Sequence, residues 1–142
     1  MKVNIEELQI RRAKSYDEII TFEEKYRDSV QNLTKKSFST NSKFPFHASR
    51  GITSVIHNDV VIAICMYDAS HTIYNMCVME EYRNNGICKL LLEECIELMK
   101  EICSYPKALI DSKNPYAQKV IESIGFINYI RRDGTNYYYK EL

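Results

Sequence analysis

Apolar positions recur with two different periods along the chain, and each change of period marks an element. Residues 7–13 form a short mixed run that reads as a first strand. The run stops at Ser15, where Ser15-Tyr16-Asp17-Glu18 is a capping-box pattern. Ile19, Phe22 and Tyr26 then repeat at helical spacing, and a second short helix is expected over residues 30–36. Residues 38–51 read as a polar loop interrupted by Phe44 and Phe46. Beyond it the period becomes two. Residues 52–57 alternate as a strand does, Asn58-Asp59 supplies a tight turn, and the nearly continuous apolar run 60–67 suits a central strand buried on both faces. Asp68 to Ser70 turn the chain again, and residues 71–79 complete a meander. A helix is expected over residues 85–103, with Cys88, Leu91, Cys95, Leu98 and Ile102 in one stripe and Lys89, Glu93, Glu97 and Lys100 facing water. After Pro106 comes a short strand, 108–111. Asn114-Pro115 starts a helix that presents Ala117, Val120, Ile121 and Ile124 to the core, and Gly125 ends it. Residues 126–132 and 137–142 form a hairpin around Asp133-Gly134. The order β-α-α-β-β-β-α-β-α-β-β describes an α/β domain with a mixed sheet.

Composition narrows the field. At 142 residues the chain has the length of one domain, 1–142, and 45% hydrophobic with 27% charged residues is the balance of a folded globular protein. Nineteen basic residues balance nineteen acidic ones, so there is no long-range field to gather nucleic acid or an anionic membrane. No apolar run approaches the 18 or so residues that a membrane span needs. The five cysteines include no Cys-x-x-Cys pair, and Glu6 and Glu7 lie where a secretory signal would be apolar. They read as small buried hydrophobes of a reducing, cytoplasmic setting. His47, His57 and His71 show no ligand spacing with one another or with the cysteines, so no metal is expected.

One segment carries chemistry. From Val78 a strand passes through the polar loop Met79-Glu80-Glu81-Tyr82-Arg83-Asn84-Asn85-Gly86 into the helix that begins Ile87-Cys88-Lys89. A helix start exposes backbone N–H groups without helical acceptors, and its dipole favours an anion such as a pyrophosphate. Gly86 lets the backbone approach that anion. The plain alternative is an ordinary strand-to-helix turn.

Arg83-Asn84-Asn85-Gly86-Ile87-Cys88 resembles the Arg/Gln-x-x-Gly-x-Gly/Ala loop of the GCN5-related N-acetyltransferase (GNAT) superfamily. Asn114-Pro115-Tyr116-Ala117, Ile121 and Ile124-Gly125-Phe126 fit the family's second block, and the resemblance runs over essentially the whole chain. It implies a twisted mixed sheet of six to seven strands flanked by four helices, with acetyl-CoA as co-substrate. It also implies acetyl transfer to a primary amine by direct attack on the thioester, with the oxyanion held by a backbone N–H. Backbone groups of Met76, Cys77 and Val78 would pair with the pantetheine arm, in a wedge between this strand and the next. Amides from Arg83, Asn84, Asn85, Gly86, Ile87, Cys88 and Lys89 would hold the pyrophosphate. Asn114 would anchor the pantetheine side or serve as a plain helix cap. The acceptor would be a small-molecule amine or a peptide or protein amine, and the protein a monomer or homodimer.

Three residues depart from the family pattern. Asn84 stands where many members have glycine, and Cys88 where they have glycine or alanine, a larger side chain beside the phosphate. Ile121 occupies the position of a tyrosine thought to protonate the departing thiolate. Substitute donors are Tyr74, Tyr116 and the tyrosines of the last strand, although Tyr116 lies about 140° around the helix from Ile121. His71 is a candidate base that strand alternation turns to the opposite face, and a water relay through Tyr74 or Asp68 is the other route. Each has a plainer role as turn former or packing. Phe44, Phe46 and Tyr138 are the residues expected to touch the acceptor. Two further readings stand beside catalysis: an acyl-CoA-binding domain of weak activity, kept open by Ile121, and an interaction module of the same fold, kept open by Cys88.

Overall fold

A computed structural model describes residues 2–38, 49–102 and 106–142. Along them run β1 (Gln9–Ala13), α1 (Tyr16–Phe38), β2 (Gly51–His57), β3 (Val60–Tyr67), β4 (Ile73–Val78), α2 (Ile87–Ile102), β5 (Lys107–Ser112), α3 (Pro115–Ser123), β6 (Ile127–Arg132) and β7 (Thr135–Glu141). Ser15 opens α1 as its sequence pattern demands: the hydroxyl accepts from Glu18 N–H and donates to the Glu18 carboxylate, both at 3.2 Å. The stripe Ile19, Phe22, Tyr26, Val30 and Leu33 continues in phase and is buried throughout. The two helices expected before residue 38 are therefore one, and the described residues hold three α-helices where four were expected. None of these helices is long and apolar enough to cross a membrane.

The strands form two antiparallel sheets, β1-β2-β3-β4 and β5-β7-β6. The mixed character expected of the sheet comes down to one parallel bridge, Thr72 to Leu109, which joins β4 to β5. α1 covers one face of the first sheet through Ile19, Phe22, Tyr26, Val30 and Leu33. α2 covers the other through Leu91, Leu92, Cys95, Leu98 and Met99. β3 is buried on both faces, as its apolar run requires, and β2 is too, polar residues included. Both two-residue turns have the paired positive φ of a type I′ hairpin: Asn58 (52°) with Asp59 (62°), and Asp133 (52°) with Gly134 (79°).

Two stripes differ from expectation. On α2 the buried face is centred on Leu91, Leu92 and Cys95, while Cys88 is half-buried and Ile102 is 44% exposed. On α3 only Ile121 is fully buried, and Ala117, Val120 and Ile124 pack along the margin of the core. The three-residue spacing was right, but the sheet beneath each helix decides how wide a face it covers.

Candidate active site

The loop between β4 and α2 is built by its own hydrogen bonds. A 3-10 turn, Glu80–Tyr82, leaves β4, with Tyr82 N–H on Met79 O (2.9 Å) and Arg83 N–H on Glu80 O (3.2 Å). Asn84 (φ 66°) and Gly86 (φ 76°) then both take the left-handed conformation. Asparagine tolerates it and glycine is free to adopt it. A Cβ on Gly86 would have open space, its nearest neighbour being Ile5 Cδ1 at 3.9 Å, so φ rather than crowding makes the glycine necessary. Asn85 Nδ2 ties the loop by donating to Tyr82 O and Arg83 O, each at 3.1 Å, and the Tyr82 hydroxyl meets His57 Nδ1 at 2.6 Å.

The chain enters α2 with Leu90 N–H on Gly86 O (3.1 Å), which leaves the N–H groups of Ile87, Cys88 and Lys89 without helical acceptors. The first turn of α2 contains no acid. The Arg83 guanidinium is anchored beside it, Nε donating to Val78 O at 3.1 Å. Backbone donors, helix dipole and the Arg83 cation thus meet at one place, the arrangement that binds a phosphate. Cys88 Sγ lies 4.0 Å from Met76 Sδ, on the β4 side. Burial pushes the Cys88 thiol above its ordinary pKa, so it stays neutral at physiological pH.

At the start of β4, β4 and β5 touch and then part. Leu109 N–H donates to His71 O (2.9 Å) and Thr72 bridges Leu109, after which β4 pairs only with β3 and β5 only with β7. Met76, Cys77 and Val78 therefore have an edge toward β5 without a strand partner, in the wedge the sequence reading anticipated. Sequence reasoning missed the device at its mouth. Tyr74 pairs with Met66 and Cys77 with Ile64, so β4 spends one residue more than β3 over this stretch. Asn75, at φ 52°, marks the bulge. An asparagine inside an otherwise β-forming run was the available signal.

The remaining candidates are scattered. Tyr74 lies on β4 beside the bulge and packs toward the α1 side; its hydroxyl is buried without a hydrogen-bond partner among the described residues. Burial, with the Asp68 charge nearby, pushes its pKa up to about 12, which excludes it as a base near neutrality. His71 is buried in the turn before β4 at φ 61°. Asp68 is a turn former: its Oδ1 accepts from Ser70 N–H (2.9 Å), Ser70 Oγ (2.6 Å) and Thr72 N–H (3.1 Å). Tyr116, 78% exposed in the first turn of α3, reaches into solvent. Asn114 is a helix cap, its Oδ1 accepting from Tyr116 N–H (2.8 Å) and Ala117 N–H (3.3 Å). Ile121, at the acid position, has no exposed surface.

Phe44 and Phe46 lie outside the described residues. Tyr138 is corrected as an acceptor contact: it is wholly buried, donating to Glu122 Oε2 (2.7 Å) and accepting from Asn136 Nδ2 (3.0 Å). Alternation leaves its neighbours Tyr137 and Tyr139 on the partly open face, where Tyr139 meets Tyr129 edge to face at 5.9 Å. Among the described residues no group of three or more His, Cys, Asp and Glu side chains could hold a metal.

Comparison with solved structures finds the same fold widely. A protein from Pyrococcus horikoshii superposes with a TM-score of 0.74 at 13% identity, covering 96% of this chain and 99% of its own. An acetyltransferase from Streptococcus agalactiae gives 0.72 at 12% identity over 97% and 100%. An acetyltransferase from Bacillus anthracis, solved in complex with acetyl coenzyme A, gives 0.56 at 19% identity over 64% and 62%. No curated protein sequence matches the chain. The model of the acetyltransferase (GNAT) family matches residues 14–126, a span that holds the α2 loop, the β4–β5 wedge and the α3 cap, and the chain belongs to that family.

Proposed function

We propose that the protein is an acetyl-CoA-dependent N-acetyltransferase acting on a primary amine of a small molecule, peptide or protein. The observation that carries this reading is the parting of β4 from β5 along the strand that runs into the Arg83–Gly86 loop. One continuous surface thus offers an unpaired strand edge and an anion cradle. The residues fit the cofactor: the free edge at Met76 to Val78 suits the amides of a pantetheine arm, and the N–H groups of Ile87 to Lys89 with Arg83 suit a pyrophosphate. When bound, acetyl-CoA supplies the acetyl thioester and a thiolate leaving group.

The chain's part is to hold and orient. The bulge at Asn75 takes a backbone N–H out of the β3 ladder at the mouth of the wedge, where it can meet a developing oxyanion. Tyr74, with its pKa pushed up to about 12, does not serve as a base. Ile121 cannot give a proton, so the thiolate departs without the acid, typically a loss of about 10²–10⁴-fold in rate. That burial of Ile121 favours a second reading, a domain that binds an acyl-CoA and turns over poorly.

Thermal unfolding with and without acetyl-CoA tests the shared part of both readings. At about 100 times its Kd the ligand adds roughly 2.7 kcal/mol, or about 5–10 °C in Tm for a chain of this size. Gly86→Asp, which sets a carboxylate in the cradle, should remove the shift while leaving the fold intact. An unshifted wild type, or a variant that shifts as wild type does, refutes the cradle. Mass-spectrometric detection of acetylated amines then separates the enzyme from the binding domain.

A further inference from the structure

The segment before β1 lies against the loop that opens α2. Val3 N–H donates to Asn85 Oδ1 at 3.0 Å across 82 positions of sequence. Ile5 Cδ1 is the nearest atom to the space a Cβ on Gly86 would take, at 3.9 Å. From Ile5 the segment's course is set by a 3-10 turn, Ile5–Glu7, capped by Asn4 Oδ1 on Glu6 N–H (3.0 Å). Val3 packs against the α2-side core and Leu8 is buried in it, so the segment is tied down at both ends.

Asn85 faces this segment with its oxygen and the loop with its nitrogen. Oδ1 accepts from Val3, and both Nδ2 hydrogens are spent on Tyr82 O and Arg83 O. The residues on either side of it, Asn84 and Gly86, are the two left-handed ones. Such conformations are sparsely populated and persist where their surroundings over-determine them. The Asn85 clamp, with His57 behind Tyr82, braces them from both sides of the loop.

We infer that residues 3–5 are a structural part of the anion cradle, with Val3 and Asn85 as positioning residues. Through them the N-terminal segment holds the loop in the shape that points the first N–H groups of α2 outward before a ligand arrives. The gain is preorganisation: ordering that would otherwise be subtracted from affinity is completed on folding. This rests on the acetyl-CoA reading above.

Isothermal titration of the full chain with acetyl-CoA, and separately with 3′-phospho-ADP, tests it. Val3→Pro removes the N–H donor, Asn85→Ala removes the clamp, and Val3→Ala keeps the donor as the conservative control. The expected result is that Val3→Pro and Asn85→Ala weaken both ligands by the same factor, about 5- to 10-fold for a hydrogen bond of ordinary worth, while Val3→Ala stays within about two-fold. Equal factors matter because 3′-phospho-ADP has no pantetheine, so a general loosening of the β4–β5 wedge would weaken acetyl-CoA alone. Wild-type affinity in both variants, loss confined to acetyl-CoA, or an equal loss in Val3→Ala overturns the positioning role. A wild-type protein that binds neither ligand overturns the acetyl-CoA reading and this inference with it.

Discussion

Burial and the nearby Asp68 charge raise the Tyr74 pKa to about 12 from the usual 10. The folded state then holds that proton more tightly than the unfolded chain, so the associated stability is complete below about pH 10 and is lost as pH rises from there through 12. Replacing Tyr74 with Phe deletes the titration and also a buried hydroxyl that has no partner among the described residues. Tyr74→Phe should therefore be neutral or slightly stabilising at pH 7. Between pH 10 and 11.5 its Tm should fall less than that of wild type. Thermal melts across that range check the claim, and parallel curves for the two proteins would refute it. Cys88 makes a second test at this scale. It is half-buried beside Met76, whereas Cys65, Cys77 and Cys95 are buried. In a Cys103→Ser background, iodoacetamide at pH 8.5 should label Cys88 first, slowly because burial raises its pKa. Acetyl-CoA should protect it, since the ligand would cover the first turn of α2. Labelling that acetyl-CoA does not slow would count against the cradle's position.

At the scale of elements the β4 bulge is the part to challenge. A β-branched residue at φ 52° costs about 1–3 kcal/mol, and the strand can escape that cost by slipping back into register with β3. Asn75→Val should therefore lower turnover and, by shifting the Met76 to Val78 edge, weaken acetyl-CoA, while 3′-phospho-ADP, which the loop beside α2 would hold, keeps its affinity. Asn75→Gly, which frees the left-handed angle, should keep turnover within about three-fold. Equal turnover in Val and Gly variants would show that the bulge has no part in the reaction. The same residue explains what the sequence could and could not disclose. Ser15, Asn58-Asp59, Asn114-Pro115 and Asp133-Gly134 were legible because each is a local device whose residue types act within a few positions. The Arg83–Gly86 loop was legible for the same reason. Asn75 was not, because a bulge exists only relative to the partner strand. Nor was the exposure of β6, whose six residues all face solvent although Ile127, Tyr129 and Ile130 follow a strand pattern. Alternation says that two faces exist, and only the packing of other elements decides which is covered. Tyr138 lies wholly buried between Tyr137 and Tyr139 for that reason.

Across the whole molecule the bulge, the unpaired edge and the cradle follow one another along β4 and into α2, and the base candidates taken from the sequence have other roles. Asp68 is spent on its turn, His71 lies in the turn behind β4 with its carbonyl on Leu109, and Tyr74 is un-ionised. Ile121 withholds the acid. A site of this kind binds and orients but leaves protons to water, so its rate should follow the acceptor's own ionisation. For a lysine-like amine, with a pKa near 10.4, only the small neutral fraction attacks. That fraction rises tenfold per pH unit, and log(kcat/KM) should climb with a slope close to one from pH 7 to about 9.5 without a plateau. A residue that titrated as the base would bend the profile near its own pKa, giving a plateau at or below pH 8. The profile is best measured with acetyl-CoA saturating and acetylated product counted by mass spectrometry, so that native thiols do not enter the readout. A straight climb supports catalysis by positioning alone. A plateau near neutrality would show that a residue of the site titrates as the base.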